Sequence, residues 1–148
     1  MKNGWIFLLY LMIAAGQDLK KKSVGLWVFA GFGGLALLSL GYQWLIAGGQ
    51  VAWGSIFSSI CLGLGLIGCG LLWHRAIGIG DGCFFLVSGL MIGFWENLAL
   101  LCYGMLLCSL YCLVLAVWNQ VIHRRNMRRY TVPFLPFLVP VGFWIVCR

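Results

Sequence analysis

Acidic residues are almost missing from this chain. Three stand among 148: Asp18, Asp81 and Glu96. Charge of either sign is scarce, at 9% of residues against roughly 25% in an ordinary soluble domain. The seven cysteines (Cys61, Cys69, Cys83, Cys102, Cys108, Cys112 and Cys147) contain no CxxC pair and mostly lie inside apolar runs. That spacing argues against a disulfide framework and against a zinc site, and leaves free thiols that pack as small hydrophobes. No Ser/His/Asp arrangement is present. No small-residue cleavage site follows the first apolar run, so that run is expected to be a retained helix and not a removed signal.

What fills the sequence is hydrocarbon: 63% hydrophobic residues and a mean hydropathy of +1.01. A soluble fold of this length cannot hide that much apolar side chain, so lipid is the expected solvent. Each spanning helix needs ~20 residues, so six spans consume nearly the whole chain. The expectation is one all-α transmembrane domain over residues 1–148, with the lipid bilayer as its first partner. The net charge of +7 does not point to nucleic acid, because the basic residues fall in short clusters between apolar segments and no aromatic-interleaved basic surface exists outside them.

Six apolar segments can be read at about residues 4–16, 24–47, 51–73, 82–95, 98–121 and 132–147. The loops after the first, third and fifth carry Lys20, Lys21, Lys22, Arg75, Arg124, Arg125, Arg128 and Arg129, and the other side holds only Lys2 and Arg148. The positive-inside rule makes the first side cytoplasmic and puts both termini outside. Asp18 and Asp81 then lie at the same, cytoplasmic, boundary, and Glu96 is expected in a solvated turn on the other. Trp27, Tyr42 and Trp44 suit membrane interfaces. The many glycines of segments two to four suit close helix packing.

An ionisable residue at the edge of a membrane span is a functional hypothesis by default. Taken alone, Asp18 reads equally well as a helix-end charge paired with Lys20–Lys22, and Asp81 as the N-cap of segment four. Gly78 and Gly80, flanking Ile79 just before Asp81, shift the balance, since glycine admits unusual backbone conformations and close approach of another chain. Two carboxylates held together share one proton, and such a pair can activate water and polarise an amide. His74 and His123 sit beside arginines and read as loop residues. No metal and no cofactor is called for.

Three stretches together resemble the type IV prepilin peptidases, membrane aspartyl proteases with a GxGD motif: Asp18 ahead of Lys20-Lys21-Lys22, Gly78-Ile79-Gly80-Asp81, and Val132-Pro133-Phe134-Leu135-Pro136-Phe137-Leu138 in place of the family's PF-x-PFL signature. The resemblance implies a membrane endopeptidase of the cell membrane. It would remove a short basic leader from prepilin- or pseudopilin-like preproteins at the cytoplasmic face, with Asp18 and Asp81 catalytic. Gly78, Gly80, Pro133, Phe134, Pro136 and Phe137 are then motif residues around the substrate. The family commonly has lysine where Cys83 stands. The cytoplasmic segment with paired cysteines found in longer, methylating members has no counterpart, so peptidase without methyltransferase activity is expected. The presenilin-like GxGD proteases carry a Pro-Ala-Leu motif that this chain lacks. The alternative class is a non-catalytic or degenerate membrane scaffold or transport subunit of a pilus or secretion system. Substrate identity and oligomeric state are not legible.

Overall fold

A computed structural model describes residues 4–21, 25–46, 53–72, 78–122 and 133–147. These form six helices and no strand: α1 (Gly4–Lys21), α2 (Leu26–Ile46), α3 (Trp53–Leu72), α4 (Ile79–Ile92), α5 (Phe94–Ile122) and α6 (Leu135–Cys147). Each apolar segment of the sequence is one helix. Two stretches, Trp53–Leu72 and Phe94–Trp118, are long and apolar enough to cross a membrane. Of the ten basic residues only Lys20 and Lys21 fall in the described residues. The others lie outside them, as do His74 and His123, so the assignment of sides by charge rests on the sequence.

The helix ends differ from the sequence reading in ways that matter. α1 does not stop at residue 16 but runs through Asp18, which is therefore a residue of the helix and not of a loop. α4 begins at Ile79, before Asp81, and at 14 residues is about 21 Å long. The break between α4 and α5 is at Gly93, not at Glu96-Asn97. Gly93 has φ +93°, a conformation that favours glycine, and its N–H donates to the Gly89 carbonyl at 3.0 Å. Phe94 restarts the helix at once, its N–H donating to Ser55 Oγ on α3 at 3.2 Å. Glu96 thus stands, half-buried, in the first turn of α5.

Asn97 is fully buried. Its Nδ2 donates to the Phe85 carbonyl at 2.9 Å, and its Oδ1 accepts from the Ser88 hydroxyl at 2.7 Å. This ties α5 to α4 with polar groups that have no water to fall back on. Replacing Asn97 by leucine, similar in size, removes both bonds across the α4–α5 contact, leaves Ser88 Oγ with only the Phe85 carbonyl at 3.2 Å, and is expected to lower unfolding free energy by ~1–3 kcal/mol. A denaturation series showing no change would remove the network from the account of stability.

α4 is the hub. It packs against α1, α2, α3 and α5, and α6 is wedged between α1 and α5. The core comes from inward faces spaced three and four residues apart: Phe7, Tyr10, Leu11 and Ala14 on α1, Phe84 and Val87 on α4 with Phe85 beside them, Leu138 and Val141 on α6. The seam between α3 and α4 is glycine-lined. A Cβ on Gly63 would stand 2.8 Å from Leu86 Cα, and one on Gly82 would stand 2.9 Å from the Ile67 backbone nitrogen. The outward faces are apolar too. Trp27 is 90% exposed and Leu72 84%, and Trp44, Leu38, Leu106 and Leu113 are all more than half exposed. All seven cysteines are free thiols.

Candidate active site

One end of the bundle gathers the last turn of α1, the first turn of α4 and the first turn of α6. On α1, Ala14 and Ala15 are buried, and Asp18, one turn further along, continues that inward face. Asp18 is only 9% exposed. Its Oδ2 accepts a hydrogen bond of 3.2 Å from the backbone N–H of Leu135, 117 residues away. Leu135 opens α6, where N–H groups lack partners within the helix and where negative charge is favoured. Asp18 is therefore no solvated helix-end charge. It forms no ion pair among the described residues, and it caps another helix.

Asp81 is the third residue of α4 and half-buried. It is not the N-cap. That place belongs to Gly78, which has no side chain to cap with. The Asp81 N–H donates to the Gly78 carbonyl at 3.0 Å, and its carboxylate folds back over Gly78. A Cβ at Gly78 would touch Asp81 Oδ2, at 3.4 Å. The backbone freedom expected of these glycines is not used: Gly78 has φ −70° and ψ 135°, open to any residue. Gly80 is half-buried, and a side chain there would meet nothing within 4 Å among the described residues. What this stretch offers is open space beside a carboxylate.

The two aspartates interact electrostatically across the α1–α4 boundary, and Cys108 on α5 is a further electrostatic neighbour of Asp81. Gln17 Oε1 accepts the Gly25 N–H at 3.0 Å, drawing the start of α2 back to the turn that carries Asp18.

The proline–phenylalanine segment is part of the same end. Pro133 and Phe134 lead into α6, and Pro136 is its second residue, where a missing N–H costs nothing. The Phe134 ring packs 6.3 Å from Phe85 on α4, and Phe137 packs 5.1 Å from Tyr111 on α5. The residue of this segment that touches Asp18 is Leu135, which sequence reasoning passed over. A signal was there: Pro133 and Pro136 have no N–H, and the Phe137 N–H is taken by the Phe134 carbonyl at 3.1 Å. Leu135 is left as a donor at the helix start.

Beneath the carboxylates lies a layer of rings. Phe32, Tyr10, Phe84, Phe85 and Phe134 follow one another from α2 through α1 and α4 to the start of α6, with centroid separations of 5.0, 5.0, 5.4 and 6.3 Å. Phe84 and Phe85 are one turn along α4 from Asp81, so the site has an apolar floor. No group of three His, Cys, Asp or Glu side chains suited to a metal ion occurs among the described residues. The chemistry this arrangement can supply is acid–base: two carboxylates at one bundle end, one fixed by a main-chain donor, next to accessible space.

Comparison with known proteins found no matching family model, no matching curated protein and no matching solved structure.

Proposed function

We propose that the chain is a membrane-embedded aspartyl endopeptidase of the type IV prepilin peptidase kind. On this reading it removes a short basic leader from prepilin- or pseudopilin-like preproteins at the cytoplasmic face of the cell membrane. The observation that carries the reading is the convergence of three distant stretches. Asp18, Gly78–Asp81 and the Pro133–Phe137 segment are far apart in sequence, and they meet at one end of the bundle through the Asp18–Leu135 hydrogen bond and the Phe85–Phe134 contact. All six helices are read as spans, with both termini outside. The apolar outer faces and the eight-to-two partition of basic residues support this. Reporter fusions in the loops test it, and a cytoplasmic signal from the loop between α2 and α3 would sink it.

The reaction follows from the pair. With one proton between two carboxylates, the ionised one takes a proton from water as the water oxygen attacks the scissile carbonyl carbon. The protonated one donates to the carbonyl oxygen. Collapse of the tetrahedral intermediate breaks the C–N bond, and the leaving amine takes up a proton from the dyad. The open side at Gly80 is where an extended substrate backbone could lie beside Asp81.

A second reading has its own support. The bond from Leu135 gives Asp18 a structural task, and Cys83 stands where the resembling family has lysine. A non-catalytic membrane scaffold or transport subunit needs no more than that. Purified protein in liposomes, mixed with substrates bearing basic, glycine-ending leaders, separates the two: cleavage after the glycine supports the peptidase, and intact substrate over a folded enzyme supports the scaffold.

A further inference from the structure

Tyr10 lies in the middle of the ring layer, and nothing described so far uses its hydroxyl. The residue is fully buried, its ring stacked on Phe84 and tilted against Phe32. Asp18, Ser59, Ser88 and Asn97, the other buried polar residues, all have partners. Among the described residues Tyr10 Oη is the one buried side-chain polar atom with none. A hydroxyl in that position carries its full desolvation cost. Phenylalanine would fill the same stack without it, so the oxygen calls for a ligand. The Cys83 thiol, half-buried on α4 next to Phe84, packs against the same core. A hydroxyl and a thiol, each able to donate and accept, suit a small neutral hydrogen-bonding molecule and not an ion.

We propose that Tyr10 and Cys83 hold an internal water between α1, α2 and α4. Phe84, the ring against Tyr10, is three residues from Asp81, which places this water about one helical turn along α4 from the carboxylate. The site does not depend on the peptidase reading. Where that reading holds, the site keeps a water near a dyad that consumes one for each bond cleaved.

Pulsed hydroxyl-radical footprinting of the full chain in nanodiscs tests it, because radicals formed from a held water label the side chains around it. Phe7 and Phe84 are as buried as Tyr10 and serve as internal references. The expected result is labelling of Tyr10, corrected for intrinsic reactivity, several-fold above both. Tyr10→Phe should then cut labelling of Cys83 several-fold and lower the Tm by a few degrees. Tyr10 labelling no higher than that of Phe7 overturns the proposal, and so does a Tyr10→Phe variant that melts at or above the wild-type temperature, the behaviour of a dry hydroxyl. Neither readout involves cleavage, so the water site and the peptidase stand or fall separately.

Discussion

Exchanging Asp81 for asparagine is expected to leave a folded protein whose cleavage rate falls on the order of 10²–10⁴-fold or more, since the change removes an acid–base group from the reacting centre. Its structural cost is small. Asp81 is in the first turn of α4, where losing a negative charge costs ~0.3–1 kcal/mol. Asp18→Asn should be as inactive. It should also fold, because the amide oxygen can still accept the Leu135 N–H that Asp18 Oδ2 accepts now. Asp18→Ala should be both inactive and less stable, since it strands a buried donor. If the carboxylates act as one unit, the double asparagine variant is no slower than either single one. Steady-state cleavage and thermal unfolding on the same preparations read both effects. Wild-type cleavage that survives Asp81→Asn would end the dyad. Inactivity of every form, with Asp18→Ala alone unstable, is the pattern of the scaffold.

The number and order of helices were legible because each apolar run is separated from the next by a glycine or charge cluster. The ends were less so. Glu96 and Asn97 read as a loop because polar residues usually lie in water. Asn97 instead finds the Phe85 carbonyl and Ser88, partners set by how α4 meets α5. Asp18 drew attention as a rare acid, but its partner lies 117 residues on and is a main-chain group, which carries no side-chain signature. At Gly78 the expected reason for glycine, an unusual φ, was the wrong one. Nor does space demand it, since a Cβ there would meet Asp81 Oδ2 at 3.4 Å, an ordinary contact. Tyr10 carries no mark in the sequence, being one aromatic among many in an apolar run.

Gly63→Val should be the most destabilising of the single substitutions considered. Overpacking a well-filled interior costs ~1–3 kcal/mol, and more where side chains cannot step aside. At Gly63 the obstacle is backbone: a Cβ would sit 2.8 Å from Leu86 Cα, so α3 and α4 must part. Gly65→Val makes the same chemical change two residues along the same helix, where nothing among the described residues lies within 4 Å and the position is exposed. It is expected to shift stability by less than ~0.5 kcal/mol. Sequence alone does not tell the two apart, since both sit between apolar neighbours in Leu62-Gly63-Leu64-Gly65-Leu66. Which one faces α4 is decided only when α3 docks. The consequence reaches the site, because Gly82, directly after Asp81, meets the Ile67 backbone in the same seam. Parting α3 from α4 therefore loosens the turn that presents Asp81, and Gly63→Val should lose cleavage together with stability. Equal stability of the two variants would show that α3 does not hold α4 by close backbone contact, and Asp81 would then need another support.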